Sequence, residues 1–200
     1  MLKRIFDLIA SLLAIILLSP LFFILIVLVR FSGKPVIYGH ERVGLNGKSF
    51  KCLKFRSMVV DADLILKQHL ESSVSARKEW EETFKLKDDP RVTRLGDIMR
   101  KTSLDELPQF FNVLRGDMSL VGPRPVIRKE LDTYYDDFAK VYEQVRPGIT
   151  GLWQVSGRSD LSYAERVKLD VRYVKNQSFI GDIIILFKTP YTLLTKKGAY

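Results

Sequence analysis

The segment LIASLLAIILLSPLFFILIVLV, residues 8–29, decides how the rest of the chain can be arranged. It is a run of 22 residues without a charge, which is long enough for a helix that enters a lipid bilayer. A cleaved signal peptide fits it poorly, because no small-residue cleavage site follows and the run is too long for the apolar region of such a peptide. The segment therefore predicts an N-terminal membrane anchor.

A Ser19-Pro20 pair in the middle of this run argues against one straight helix. Pro20 has no N–H, so the carbonyl of Ile16 loses its helical partner and the helix kinks or breaks there. Ser19 is a candidate to cap a new helix start or to hydrogen-bond a freed carbonyl. As helix, each arm would extend only roughly 14–16 Å, about half of the bilayer core.

Basic residues flank the run on both sides, with Lys3 and Arg4 before it and Arg30, Lys34 and Arg42 after it. Positive charge favours the cytoplasmic side of a membrane. A helix–break–helix that dips into one leaflet and returns to the same face satisfies both flanks. A kinked helix that crosses the bilayer once is the alternative, and the residues alone leave both open.

The remainder of the chain predicts a single α+β domain, mostly helical with a small β-hairpin, so that the anchor covers residues 1–32 and the domain residues 33–200. Strands are predicted at 36–38 and 50–55 around a turn at 44–47, and helices at 61–86, 92–100, 105–115, 126–145 and 162–176. The first of these helices has Leu64, Leu70, Trp80 and Phe84 as candidate buried residues.

The apolar stretch 179–194, interrupted by Pro190, predicts a helix near the end of the chain. It is either a core helix or an interfacial one, with its apolar side in the lipid boundary and Lys188, Lys196 and Lys197 at the headgroups.

Charge and composition limit the function. The net charge of +9 and the pI near 9.6 suggest a phosphate-rich partner: nucleic acid, anionic lipid or a phosphorylated substrate. Cys52 is the single cysteine, which excludes an internal disulfide and a cysteine-only metal site. His40 and His69 are the only histidines and lie in no recognisable metal or catalytic motif. The sequence shows no signature of a nucleic-acid-binding module.

Two adjacent carboxylates in the stretch Ser103-Leu104-Asp105-Glu106 allow a structural and a chemical interpretation. Structurally, Ser103 as N-cap and Glu106 at the third helical position would form a capping box, and a second register places Asp105 itself at the N-cap. Chemically, one carboxylate attacks a phosphorus centre while the other holds a divalent cation such as Mg²⁺.

Cations that would suit such a site are numerous. Arg124, fixed between two prolines, and Arg158, in a polar turn, look least like ordinary helix surface, and arginine binds phosphate through two parallel contacts. The candidates are Lys54, Arg56, Arg100, Lys101, Arg124, Arg146 and Arg158.

Five ordered motifs closely resemble the bacterial sugar transferases, also called monotopic phosphoglycosyl transferases. They are KFRSM at 54–58, RKTSLDELPQ at 100–109, NVLRGDMSLVGPRP at 112–125, RPGITGLWQV at 146–155 and Gly157-Arg158. The Ser19-Pro20 pair also matches the helix break of that family. The resemblance covers essentially the whole chain, and five such motifs in order are far more specific than one short pattern.

This resemblance implies a transfer of a sugar 1-phosphate from a UDP-sugar to undecaprenyl phosphate, with release of UMP, through a covalent phosphosugar–aspartate intermediate. It implies that Asp105 is the nucleophile, that Glu106 binds Mg²⁺, and that Lys54, Arg100, Arg124 and Arg158 belong to the phosphate-binding shell. It also implies a re-entrant anchor in the bacterial inner (cytoplasmic) membrane, with the catalytic domain on the cytoplasmic face, and a first membrane step in exopolysaccharide, capsule or O-antigen (lipopolysaccharide) synthesis.

Some questions stay open at this level. Residues 61–89 resemble the catalytic part of larger hexose-1-phosphate transferases, which tilts the expected sugar towards glucose or galactose and leaves open whether the chain is a short enzyme or an excised domain. The anchor is a candidate surface for a homo-oligomer. Two non-enzymatic alternatives are a membrane-anchored module that binds anionic partners and a scaffold that gathers other enzymes.

Overall fold

The computed structural model of the chain describes residues 1–83, 86–157 and 161–194, and the described part is mostly helical. The helices are α1 (Leu2–Leu17), α2 (Ser19–Phe31), α3 (Ala62–Ser72), α4 (Val74–Thr83), α5 (Arg94–Lys101), α6 (Gln109–Arg115), α7 (Arg128–Tyr134), α8 (Ala139–Tyr142), α9 (Leu152–Ser156), α10 (Tyr163–Lys175) and α11 (Phe179–Leu194). The strands are β1 (Ile37–Val43), β2 (Ser49–Phe55), β3 (Ser119–Val121) and β4 (Gly148–Thr150). The predicted α+β class is consistent with this architecture.

The apolar N-terminal run forms two helices rather than one. Among the described residues no single helix is both long and apolar enough to cross a bilayer. α1 and α2 taken together have the necessary length and apolar character, but they meet at a bend of 64°. The predicted break at Ser19 and Pro20 is confirmed, and Pro20 lies in the first turn of α2, where its missing N–H costs nothing. Ser19 is not the N-cap, because that position belongs to Leu18 and no side chain caps α2.

The start of α1 is tied to the rest of the domain by polar contacts. The ammonium of Lys3 lies 2.7 Å from a carboxylate oxygen of Asp182 on α11. One turn later, the buried carboxylate of Asp7 accepts a hydrogen bond of 2.7 Å from the hydroxyl of Ser119 on β3. These contacts join the first two turns of α1 to β3 and α11.

The predicted hairpin is confirmed, with longer strands than expected. β1 and β2 pair antiparallel, with Tyr38 opposite Lys54 and His40 opposite Cys52. The turn between them contains Asn46 and Gly47 at positive φ, a conformation that these residue types adopt readily.

A second, parallel pair formed by β3 and β4 was not predicted, since residues 146–151 read as a turn cluster. Its glycines allow a very close approach of two backbones. A Cβ atom on Gly148 would lie 2.1 Å from the amide nitrogen of Gly122, and one on Gly151 would lie 2.1 Å from the carbonyl oxygen of Gly122. The loop at 122–125 is therefore held directly against the 148–151 segment.

Two predicted long helices are wrong as single elements. The segment 61–86 divides into α3 and α4 at Ser73, which is extended and whose hydroxyl accepts a hydrogen bond from the amide of Ala76. Leu64, expected to be buried, is 57% exposed; Leu70 and Trp80 are half-buried, and Phe84 lies outside the described residues. The segment 126–145 divides into α7 and α8, because Asp136 adopts a positive φ between them.

The remaining predicted helices are present with small changes. α10 begins with a capping box in which Ser162 and Glu165 bond each other's backbone amides. α6 ends at residue 115, as predicted, where Gly116 follows in the left-handed conformation, but it begins only at Gln109 rather than at residue 105. α11 includes Pro190, and Lys196 and Lys197 lie outside the described residues.

A hydrophobic core within the described residues packs against the turn that carries the two carboxylates. It joins Phe22, Leu25 and Val29 of α2 to Phe55 of β2 and Met99 of α5. Leu104 and Leu107, on either side of Asp105 and Glu106, pack against the same core. The buried face of α2 therefore packs against this turn and helps to hold it in place.

Candidate active site

The two adjacent carboxylates lie on a single 3₁₀ turn, Leu104–Glu106, between α5 and α6. Asp105 is only 6% exposed, whereas Glu106 is half-buried. The predicted capping box is wrong: Ser103 adopts a left-handed conformation, φ +57°, rather than the extended one that an N-cap needs, and its side chain caps nothing. The second register is also wrong, since Pro108 precedes the first residue of α6. Asp105 and Glu106 are therefore not explained as helix caps.

Lys54 of β2 faces both carboxylates. Its ammonium nitrogen lies 2.6 Å from Oε1 of Glu106 and 3.8 Å from Oδ2 of Asp105. Burial alone would lower the pKa of Lys54, but Glu106 and Asp105 together raise it above its ordinary value. The lysine is therefore a fixed positive charge beside the pair.

Burial raises the pKa of Asp105 to about 6. The negative charge of Glu106 acts in the same direction, while Lys54 and Arg100 oppose it by favouring the carboxylate. At neutral pH Asp105 is thus mostly ionised and poorly solvated, which makes it more reactive than a carboxylate in water.

Arg100, in the last turn of α5, is the second cation of the site. Its Nε donates a hydrogen bond of 2.9 Å to the hydroxyl of Ser57, just beyond β2. Burial lowers the pKa of Arg100, and the carboxylates of Asp105 and Asp89 oppose that shift. The carboxylate of Asp89 also accepts two buried hydrogen bonds from Arg91, one of 2.8 Å from Nε and one of 2.6 Å from Nη2. The guanidinium of Arg100 thus lies in the field of carboxylates from two segments.

Arg124 lies in a neighbouring cluster rather than in direct contact with Asp105 or Glu106. Its guanidinium stacks over the ring of Trp153 at 5.6 Å, and that of Arg166 lies 5.3 Å from the same ring. The carboxylate site and the Arg124 cluster both influence Cys52. Burial raises the pKa of its thiol to about 11, and the charge of Glu106 acts in the same direction, while the charges of Lys54 and Arg124 lower this pKa. The structure therefore brings Lys54 and Arg100 to the carboxylates and Arg124 to an adjoining aromatic site.

The other predicted cations have different surroundings. The side chain of Arg56 is buried against the end of α2, where its Nη2 donates to the carbonyl of Val29 at 3.4 Å. The Nε of Arg146 donates to the carbonyl of Gly116 at 2.7 Å, so both arginines bond main-chain oxygens. Lys101 is exposed and pairs with Asp97 one turn earlier. Arg158 lies outside the described residues.

A divalent cation fits the donor set in one respect. In the described ranges no three His, Cys, Asp or Glu side chains are grouped tightly enough to enclose a metal ion. Mg²⁺ in nucleotide sites, however, is usually held by one or two carboxylates while substrate phosphates and water supply the other oxygens. Asp105 and Glu106 match that open pattern.

Asn112 joins α6, the helix that follows the carboxylate turn, to β2, and the sequence motifs did not predict this role. Its fully buried amide accepts from the N–H of Leu53 at 2.9 Å and donates to the carbonyl of Lys51 at 2.8 Å. A third bond of 3.1 Å goes to Asp117. An asparagine within a helical motif gives no sequence signal for this role, because the pairing depends on the edge of a distant strand.

We expect Asn112→Ala to lower the free energy of unfolding by about 1–3 kcal/mol, since it leaves the N–H of Leu53 and the C=O of Lys51, both in partly buried bonds, without the partner that Asn112 supplies. The matched control is Asn176→Ala, which removes an exposed amide with one local bond to the carbonyl of Arg172 and should cost about 0.5 kcal/mol or less. Thermal unfolding of the full chain measures both. Equal small losses would contradict the role assigned to Asn112.

A family model described as bacterial sugar transferase matches residues 1–196 of the chain. The chain is 58% identical over 199 residues to a UDP-galactose-lipid carrier transferase of Erwinia amylovora. It is 55% identical over 199 residues to an undecaprenyl-phosphate galactose phosphotransferase of Salmonella typhimurium. Both alignments cover 100% of this chain and 42% of the relative, so the chain spans less than half the length of these two proteins.

A shorter relative is similar over most of its own length. The exopolysaccharide production protein ExoY of Sinorhizobium fredii is 52% identical over 199 residues, which cover 99% of this chain and 88% of that protein. All five sequence motifs lie within the range that the family model matches.

Proposed function

The chain belongs to the bacterial sugar transferase family, and on that premise we propose that it transfers a sugar 1-phosphate from a UDP-sugar to undecaprenyl phosphate. The observation that supports this most is the buried Asp105 beside Glu106, with Lys54 and Arg100 around them. A reactive carboxylate among cations suits attack on a phosphorus centre, since phosphoryl transfer depends chiefly on positioning and charge stabilisation.

The reaction has two displacements. In the first, a carboxylate oxygen of Asp105 attacks the phosphorus that bears the sugar, and the bond from this phosphorus to the bridging oxygen breaks, so that UMP leaves with that oxygen. In the second, a phosphate oxygen of undecaprenyl phosphate attacks the same phosphorus, and the carboxylate of Asp105 is released. The sugar phosphate is thus held on the enzyme between two easier steps.

The chain's own cations have separate tasks. Lys54 and Arg100 stabilise negative charge on the transferred phosphate, and Arg124 and Arg158 bind the rest of the diphosphate. Glu106 would hold Mg²⁺, which when bound neutralises charge on the diphosphate.

The galactose in the names of the Erwinia and Salmonella relatives makes UDP-galactose the first donor to test, and UDP-glucose the second. The product would begin a glycan such as an exopolysaccharide, capsule or O-antigen.

The bilayer is the remaining partner. α1 exposes Ile9, Leu13 and Ile16, and α11 exposes Ile180, Ile184, Phe187 and Tyr191 at a spacing that places them on one face. We place both faces in the lipid boundary, with a re-entrant α1–α2 pair in the inner membrane and the catalytic domain on its cytoplasmic face. An acceptor phosphate at the headgroup level would then meet Asp105 at the membrane surface.

The proposed function is tested by incubating vesicle-reconstituted protein with undecaprenyl phosphate, Mg²⁺ and each of several UDP-sugars, and measuring UMP and lipid-linked product. We expect one donor to react and a chelator to stop it. Without acceptor, labelled UMP should exchange into the UDP-sugar, because the first displacement is reversible on its own. Turnover without exchange would contradict the covalent intermediate, and no turnover with any donor would favour a scaffold or an anionic binding module.

We expect Pro20→Ala to push α1 and α2 towards one continuous helix, because the alanine supplies the N–H that residue 20 would donate to the Ile16 carbonyl in such a helix. Cysteines introduced at Leu2 and Lys34, both exposed, report the side on which each end lies. The buried Cys52, with its pKa near 11, remains protonated and gives little background. In the parent both positions should label from the same side. Unchanged same-side labelling in the variant would show that Pro20 does not set the topology.

A further inference from the structure

Arg56 is a buried cation that the proposed reaction does not use. The residue is 8% exposed, and in the described part of the chain no carboxylate lies within ion-pair distance of it. Its Nη2 donates long hydrogen bonds to the carbonyl of Val29, at 3.4 Å, and to the hydroxyl of Ser32, at 3.3 Å. Its Nε and Nη1 are buried without a hydrogen-bond partner in the described ranges. A charge in such a place is costly and calls for an explanation.

The end of α2 supplies part of the compensation. The last carbonyls of a helix carry partial negative charge, and Val29 lies in the last turn of α2. Gly33, at φ +119°, then folds the chain over the guanidinium: a Cβ atom on this residue would lie 3.1 Å from Nη2. The local sequence is thus shaped around Arg56 as the group that holds the helix end.

The helix end held by Arg56 belongs to the element that supports Asp105. Phe22, Leu25 and Val29 of α2 share one core with Leu104 and Leu107, which flank the two carboxylates. Because packed cores do not deform smoothly, a shift of α2 would displace this turn.

Arg56 is also placed between the residues that hold the two cations. Lys54, two residues earlier, contacts Glu106, and Ser57, the next residue, accepts the hydrogen bond from Arg100. The amide of Arg56 donates to the carbonyl of Val36 at 2.9 Å, which extends the hairpin pairing by one bond. A movement of Arg56 would therefore reach both cations through the backbone.

We propose that Arg56 is a positioning residue: it fixes the end of α2 against β2, and so keeps Asp105, Lys54 and Arg100 at their working distances. Its catalytic meaning rests on the function proposed above for Asp105. Arg56 itself touches no substrate, and its effect is transmitted through α2 and through Lys54 and Ser57.

The test compares Arg56→Met and Arg56→Lys with Arg30→Met, which removes an exposed arginine from the same end of α2. Hydrogen exchange of the full chain in vesicles is measured at residues 104–107, at residues 57–60 and in α10. Arg56→Met should speed exchange at the first two segments by about tenfold or more while α10 is unchanged. Its kcat should fall about 10–100-fold with little change in the KM for the UDP-sugar, as expected for misplaced reacting groups. Arg56→Lys should recover part of both, and Arg30→Met should match the parent.

Two exchange results would overturn the proposal. Unchanged exchange at residues 104–107 in Arg56→Met would show that Arg56 does not hold the carboxylate turn. Equal acceleration everywhere, α10 included, would show a general role in stability only. The exchange measurement needs no turnover, so it decides the role of Arg56 even if the proposed transfer is not found.

Discussion

Replacing Asp105 by Asn should abolish turnover and, at neutral pH, make the folded protein more stable. The amide keeps the size of the side chain but cannot act as the nucleophile, so kcat should fall at least about 10³-fold. Binding of the UDP-sugar should persist, because Lys54, Arg100 and Arg124 remain.

The gain in stability follows from the raised pKa of Asp105, about 6 in the folded protein against 3.8 for an ordinary aspartate. The folded state binds this proton more tightly than the unfolded state does, so ionisation of Asp105 favours unfolding. That cost is fully present above about pH 6 and disappears below about pH 4. We expect Asp105→Asn to gain about 1–3 kcal/mol at pH 7.5, since tenfold in a protonation equilibrium is about 1.4 kcal/mol.

The measurement is thermal unfolding of parent and variant between pH 4 and pH 8, alongside UMP release. Asp132→Asn is the control, because Asp132 is exposed and its ion pair with Arg128 is long, at 3.8 Å. It should leave turnover unchanged and alter stability by about 0.5 kcal/mol or less at every pH. Near-normal turnover of Asp105→Asn would exclude Asp105 as nucleophile, and a stability difference independent of pH would contradict the raised pKa.

Gly96→Ala should cause a large loss of stability together with a loss of activity. A Cβ atom at Gly96 would lie 1.9 Å from the carbonyl oxygen of Ser57 and 2.6 Å from its carbonyl carbon. Both are main-chain atoms. The same oxygen accepts a hydrogen bond of 3.0 Å from the amide of Thr93, which is the N-cap of α5. No rotamer change relieves this overlap, so α5 must move away from Ser57.

We expect Gly96→Ala to cost about 3 kcal/mol or more, which lowers the melting temperature by about 6–12 °C for a chain of this size. The displaced α5 would also separate Arg100 from Ser57, so kcat should fall together with stability. Gly181→Ala is the control, since its Cβ atom would meet only the side-chain hydroxyl of Ser178, at 2.9 Å. A Gly96→Ala variant with the melting temperature and kcat of the parent would contradict the contact between α5 and Ser57.

Local signals in the sequence predicted several elements well. Pro20 disrupts the hydrogen bonding of a helix that would run through it and is favoured in a first turn, Asn46 and Gly47 favour a hairpin turn, and Ser162 with Glu165 defines the start of α10 without help from distant residues. The motifs also selected Lys54 and Arg100, which the structure places beside Asp105 and Glu106.

Other features depend on contacts that no local pattern encodes. β3 and β4 are only three residues long, and the closest backbone approach beside them is made by Gly122, Gly148 and Gly151, so they show no strand periodicity. The sequence around Ser103 predicts a capping box, but Ser103 adopts a left-handed conformation in which its side chain does not cap the helix. Arg56 and Arg146 look like phosphate ligands until the carbonyls they bind are known, and those carbonyls lie on separate segments of the chain.

The ion pair between Lys3 and Asp182 joins residues 179 positions apart, and the core that contains Phe6 and Ala10 also needs Tyr173 and Ile185. At the usual synthesis rate of about 5–20 residues per second, α1 therefore waits roughly 10–40 s on the ribosome before its partners exist. For that period the most apolar part of the chain is without its native packing. A nascent chain that meets the bilayer early can bury the apolar surface of α1 in lipid. For the membrane anchor proposed above, the order of synthesis thus favours insertion of α1 first and completion of the rest of the domain afterwards.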